Sequence, residues 1–140
     1  MGLTITLTLA SLIGAIAALH FGWAFGLDWP APKGEPLAIY VTAGTRRPGR
    51  AITLAVAAAI AAAAAVVLTS RGHVPAPWDM LAALAYFVVT LVFLGRGVAG
   101  YFPGLWRSAE GLPFHRLNRA FYSPLCLAIG AGLAINILIR

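Results

Sequence analysis

The sequence predicts an all-α membrane protein, a four-transmembrane-helix bundle in a single domain spanning residues 1–140. Three observations carry that expectation. Apolar residues make up 61% of the chain, against about 45–50% in soluble domains. Charged residues make up 10%, against about 25%. Four apolar stretches each reach the roughly 20 residues that cross a bilayer. A disordered chain needs low hydrophobicity, and a soluble globule needs more polar surface than this chain carries, so both are excluded.

The first span is expected over residues 3–25, with only His20 as a potential charge. A cleaved signal peptide would need a basic start and a shorter apolar core. Residues 1–10 hold no Lys or Arg, so the segment is expected to be kept as a span. The opening Met-Gly-Leu-Thr-Ile-Thr fits a loose myristoylation pattern, but it runs straight into the span and is read as chance. The second span covers residues 51–70. Its stretch 57–65 is eight alanines around Ile60. Lipid gives no hydrophobic push between helices, so close contact needs small residues. Span two is therefore expected to be a central packing helix, with a plain lipid-facing alanine helix as the alternative.

The third span covers residues 78–101, with Asp79 in its first turn and Arg96 near its end. A carboxylate suits the positive end of the helix dipole. The fourth covers residues 121–139. Tyr122, Cys126, Ile129, Leu133 and Asn136 fall on one stripe of it, with Ser123, Gly130 and Ala134 adjoining. Small and polar groups on that side predict that it faces the bundle. In hydrocarbon every backbone N–H must be bonded within its own segment, so the spans are helices. No stretch alternates as a membrane barrel strand would.

The connections are read from their punctuation. The loop 26–50 holds Pro30, Pro32, Pro36 and Pro48, so it is not one helix. Its apolar run 37–41 is an interfacial helix turn or a short strand, and the sequence leaves both open. Trp23, Trp29, Trp78, Tyr101 and Trp106 fall where aromatic belts are expected. Gly22 and Gly26 form a GxxxG match at the end of a span, weak evidence for dimerisation. No internal repeat supports an inverted-repeat transporter.

Loop charge predicts orientation. Lys33, Arg46, Arg47 and Arg50 in loop one and Arg107, Arg116 and Arg119 in loop three give seven basic residues on one side. Only Arg71 and Arg140 lie on the other. Positive loops stay cytoplasmic, so both termini are expected outside, in a bacterial inner membrane. The cluster Arg46, Arg47 and Arg50 is expected to meet anionic lipid headgroups. Nucleic-acid binding is not expected, since the charges are few and sit beside spans.

Spacing then brings polar groups to one layer. His20 lies 17 residues past Leu3, ~26 Å along a helix. Arg96 lies 18 residues past Trp78, ~27 Å. Both therefore sit near the cytoplasmic ends, where span four begins with Tyr122, Ser123 and Cys126, just after Asn118 and Arg119. An ionisable residue at membrane depth is a functional candidate by default. The ligand- or lipid-binding set is therefore His20, Trp23, Arg96, Tyr101, Asn118, Arg119, Tyr122, Ser123 and Cys126. Each has a plainer role. Arg96 can snorkel to the interface, His20 and Asn136 can bond neighbouring helices, and Cys126 can be a small buried residue.

Catalytic constellations are missing. His20, His73 and His115 are far apart in sequence and Cys126 is the only cysteine, so no metal cluster, haem or internal disulfide is expected. No Walker pattern is present. No cofactor is expected and no catalytic residue is assigned.

The stretch 114–127, with its core Tyr122-Ser123-Pro124-Leu125-Cys126, resembles an uncharacterised bacterial family of small four-span membrane proteins, a domain of unknown function. Leu19-His20-Phe21-Gly22-Trp23-Ala24-Phe25-Gly26 matches that family's end of span one, and Arg96, Gly100, Tyr101 and Phe102 its end of span three. The resemblance covers nearly the whole chain. It implies a bacterial four-helix inner-membrane protein and no particular activity. In the family's pattern the position of Asn118 is often acidic, which here argues against a salt bridge to Arg96 or Arg119. The three motifs are the same segments that spacing brings to one end.

The favoured role is non-enzymatic: binding a lipid, anionic on the cytoplasmic side, or a membrane-protein partner or second copy, through that layer. The alternatives are a membrane-embedded redox or lipid-modifying enzyme with His20 as acid–base group, and an oligomeric transporter or channel subunit.

Overall fold

The computed structural model describes residues 2–69 and 78–139. Met1, the last residue of the expected second span, Arg71, His73 and Arg140 lie outside the described residues. Among the described residues there is no strand. Four helical segments are long and apolar enough to cross a membrane. They are α1 (Gly2–Ala24), α3 (Arg50–Thr69), α4 (Trp78–Ala99) and the run Pro113–Leu138. A short helix α2 (Ala38–Val41) sits between α1 and α3, and a 3-10 stretch (Pro103–Ala109) follows α4. The expected all-α class with four span-length apolar helices therefore holds, and the apolar run in loop one is a helix turn.

The fourth span starts earlier than its apolar pattern indicates. It comprises α5 (Pro113–Leu117), a π-helical turn (Asn118–Tyr122) and α6 (Ser123–Leu138). Arg116, Asn118 and Arg119 read as loop because they are polar. In the helix Arg116 and Arg119 face outward, while Asn118 is 1% exposed. Pro124 accounts for the π turn. Proline cannot donate and clashes with the preceding turn, so the ladder widens by one residue and the Ser123 N–H bonds to the Asn118 carbonyl. The next carbonyl in that register, Arg119, would receive the N–H that Pro124 lacks. The Tyr101 hydroxyl donates to it instead, at 3.3 Å.

Packing joins two tight antiparallel pairs, α1 with α3 and α4 with α6, through contacts of α1 with α6 and lighter ones of α3 with α4. The expectation for span two is thus corrected. α3 lies along α1 and touches α4 lightly, so it is half of one pair and not the centre. Its buried residues Ala57, Ala64 and Val67 follow a spacing that keeps one face toward the core. The expectation for span four holds: Ile129, Gly130, Leu133 and Asn136 are buried. Across the α4–α6 seam, glycines receive leucines. A Cβ on Gly97 would lie 2.6 Å from the Leu127 side chain, and one on Gly130 2.8 Å from Leu94. Ile13, Val67, Ile129 and Leu133, all 0–1% exposed, centre the core. No more than 28% of any span's apolar window is buried. So much exposed apolar helix is the expected surface for lipid, where the solvent is as apolar as leucine.

At the other end of the bundle from loop one lies a buried polar node. The Asn136 amide donates to the Thr6 hydroxyl at 3.1 Å and to the Tyr86 hydroxyl at 3.0 Å. Thr6 passes its own proton to the Gly2 carbonyl, and Tyr86 to the Leu133 carbonyl. Three helices are thereby tied by hydrogen bonds.

The glycine pair in Gly22 and Gly26 proves to be a helix cap. Gly26 adopts φ +98°, its N–H bonds the Trp23 carbonyl and the Leu27 N–H bonds the Gly22 carbonyl. This is the Schellman arrangement, in which a left-handed residue lets two terminal carbonyls be satisfied.

Candidate functional site

The end of the bundle where α1 finishes and α3 and α5 begin is the basic end. The Tyr122 hydroxyl donates to the Tyr40 carbonyl at 3.0 Å, so loop one and the start of the fourth span meet there. The single polar layer expected from depth divides into two parts, on either side of α2.

The first part is built by α4 and the π turn. Arg96 is half-buried, and one guanidinium nitrogen donates to the Asn118 Oδ1 at 2.8 Å. Ser123 donates to the same oxygen at 3.3 Å. Gly100 makes room, since a Cβ there would fall 1.6 Å from the Ser123 Oγ. The guanidinium lies over the Trp106 ring, 5.0 Å from its centre, and the Trp106 N–H is held by the Ala99 carbonyl at 2.7 Å. The other terminal nitrogen of Arg96 is buried and has no hydrogen-bond partner among the described residues. Arg96 thus turns into the protein and bonds across helices; it does not snorkel outward. Trp106, Phe114 and Tyr122 continue as a row of rings 5.5 and 6.0 Å apart.

The second part is a groove of about 150 Å³ between α1, α2 and the start of α3. Its walls are largely apolar: Leu37, Ala38 and Val41 from α2, Ile52 and Val56 from α3, with His20 and Trp23 from α1. Arg47 lines it, and exposed Arg46 and Arg50 flank Arg47 in the chain. Loop one is pinned in place around it. Trp23 donates to the Trp29 carbonyl at 2.7 Å. Arg47 donates to the Leu27 carbonyl at 2.7 Å and pairs with Asp28 at 3.2 Å. That pair is well exposed and contributes little stability on its own, so the bond to Leu27 does more to set the loop. Arg50 lies 4.3 Å from the Phe25 ring centre.

His20 is oriented from within its own helix. Its Nδ1 is 2.8 Å from the Ile16 carbonyl. A carbonyl oxygen only accepts, so Nδ1 carries the proton and Nε2 of the neutral ring keeps its lone pair. The ring is 4.6 Å from that of Trp23.

Of the residues singled out from sequence, His20 and Trp23 line the groove with Arg47. Arg96, Asn118 and Ser123 form the interhelix cluster, and Tyr122 links that cluster's flank to α2. Tyr101 is 42% exposed and supports the π turn through its hydroxyl. Arg119 contributes its carbonyl there, with its side chain exposed. Cys126 is half-buried. Sequence reasoning singled out neither Ile52, Val56 nor the α2 wall, which no polar signal marks. It also missed Thr6 and Tyr86 as partners of Asn136, although Thr6 sits at matching depth on α1.

Comparison with known proteins gives one finding. The model of a family described as "Protein of unknown function (DUF3995)" matches residues 13–133, most of the chain. No curated protein and no solved structure matches.

Proposed function

The chain belongs to the DUF3995 family of proteins of unknown function, and we propose that it is a small multi-pass membrane protein that binds a phospholipid at its basic end, in the groove between α1, α2 and α3. One observation carries this reading: a mostly apolar groove lined by Arg47, which has two more exposed arginines close to it in the chain. Ile52 and Val56 lie only a few residues inside the start of α3, at ~3–9 Å depth. That is the boundary between acyl chain and headgroup. An acyl chain lies against Val41, Ile52 and Val56, and the phosphate meets the guanidinium groups, which match its geometry. Each basic residue near an anionic surface adds about 1 kcal/mol. Arg96 is not the headgroup ligand in this reading, because its unbonded nitrogen is covered by protein. The excess of basic residues at this end supports a cytoplasmic position for the groove, with both termini outside. A periplasm-dependent reporter fused after residue 140 is then active.

Native mass spectrometry of the detergent-purified protein tests the groove. The wild type keeps a phospholipid through delipidation. Val56→Trp, which fills the groove, loses it, and so does a variant with Arg46, Arg47 and Arg50 all changed to Gln. A Val56→Trp protein of native helicity that keeps the wild-type lipid sinks the proposal.

A further inference from the structure

We propose that His20 makes the groove selective for phospholipids whose headgroup carries a hydrogen-bond donor beyond the phosphate, an ammonium N–H or a glycerol O–H. This rests on the lipid-binding reading above and adds to it the choice among lipids.

The polar groups lining the groove are almost all committed. Thr42 donates to the Ala38 carbonyl at 2.8 Å, and its oxygen accepts from the Gly44 N–H at 3.3 Å. Thr53 donates to the Gly49 carbonyl at 3.2 Å. The Trp23 N–H is held by Trp29. Arg47 offers donors only. The side-chain acceptor that remains is the Nε2 lone pair of His20, which has no hydrogen bond among the described residues. The ring does not turn this atom away cheaply, since a flip breaks the 2.8 Å bond to Ile16.

The groove therefore presents a cation for phosphate and, when the His20 ring is uncharged, an acceptor on a residue that lines the same space. A phosphodiester followed by a donor satisfies both. A phosphocholine headgroup, with a quaternary ammonium and no N–H, satisfies only the first. Leaving an acceptor desolvated without a partner is the costlier outcome, so the preference comes from the unmet bond as much as from the made one.

The test uses the full chain in vesicles of equal parts phosphatidylethanolamine, phosphatidylglycerol and phosphatidylcholine, extracted mildly and read by native mass spectrometry. The wild type is expected to retain each of the first two over phosphatidylcholine by about three- to ten-fold, the range set by one hydrogen bond. His20→Phe keeps a ring against Trp23 without a nitrogen. It is expected to retain lipid but favour phosphatidylethanolamine no longer, while anionic phosphatidylglycerol keeps whatever advantage its net charge gives at the arginines. His20→Gln, which restores an acceptor, regains part of the preference. Equal retention of phosphatidylethanolamine and phosphatidylcholine by the wild type overturns the proposal, as does an undiminished preference in His20→Phe. Failure of the groove itself reads differently: no phospholipid is retained in any arm, or Val56→Trp retains as much as the wild type.

Discussion

The side-chain oxygen of Asn118 holds the guanidinium of Arg96 at 2.8 Å, across the seam between α4 and the fourth span. A full charge inside the helical bundle is thereby met by a neutral acceptor and an aromatic face, with no carboxylate paired to it among the described residues. A hydrogen bond to a charged group contributes about 1.5–3 kcal/mol. Asn118→Ala should accordingly lower stability by about 2 kcal/mol, because it leaves the guanidinium buried and unpaired. Arg96→Met should cost less, since it removes the charge together with its unbonded nitrogen. The double variant should be close to Arg96→Met alone. Unfolding in mixed micelles completes the cycle, and additive losses would show that the two side chains are not coupled.

Gly100 sets how closely α4 approaches that cluster. Its missing Cβ would stand 1.6 Å from the Ser123 Oγ and 2.7 Å from the Ser123 Cβ. Gly100→Ala should therefore destabilise the bundle by about 1–3 kcal/mol, the usual range for overpacking. Ser123→Gly removes both opposing atoms, so Gly100→Ala with Ser123→Gly should recover most of the loss. Thermal unfolding of the three variants in one detergent decides this, and a double variant no better than Gly100→Ala would place the strain elsewhere.

The first two predictions lie in a region whose depth was legible and whose neighbours were not. His20 and Arg96 sit where counting residues along their helices puts them. Depth follows from rise per residue alone. Their angular positions depend on which helices pack together, and that is fixed by contacts such as Gly97 on Leu127 and Gly130 on Leu94, which no single span reveals. Hence one expected layer became a groove and a separate interhelix cluster. Span four began eight residues early for a related reason. Arg116 and Arg119 face outward from the helix, and polarity reads as loop. Gly22 and Gly26 matched a dimer motif, yet their role is set by the positive φ of Gly26, which spacing does not encode.

Loop one carries a measurable ionisation. The Tyr40 hydroxyl donates to the Glu35 carboxylate at 2.5 Å. That bond, aided by the negative charge of Glu35, holds the phenol above its ordinary value of 10.0. The folded state therefore favours the protonated phenol. Its contribution is present below the unfolded phenol pKa and is lost as pH rises through the higher folded value. The difference in phenolate absorbance between wild type and Tyr40→Phe should show ionisation displaced upward, and Glu35→Gln should move it back down. A Tyr40 that titrates identically with and without Glu35 would mean the bond does not form in solution.

Asn136 closes the other end of the bundle with two donated bonds and a side-chain oxygen that has no partner among the described residues. Hydrogen bonds between helices in membranes contribute about 0.6 kcal/mol on average and at most about 1.7. Asn136→Leu gives up both bonds but also removes the unmet oxygen, and it keeps the branched shape of the side chain without opening a cavity. Its net cost should be about 1 kcal/mol or less. Asn136→Ala loses the same bonds and leaves a gap beside Leu133, itself 0% exposed, so the cavity adds to the loss and the cost should be distinctly larger. Equilibrium unfolding of both variants separates the terms. If Leu proves as damaging as Ala, the hydrogen bonds to Thr6 and Tyr86 outweigh packing at this site, and the polar node matters more to this fold than the usual strength of membrane hydrogen bonds allows.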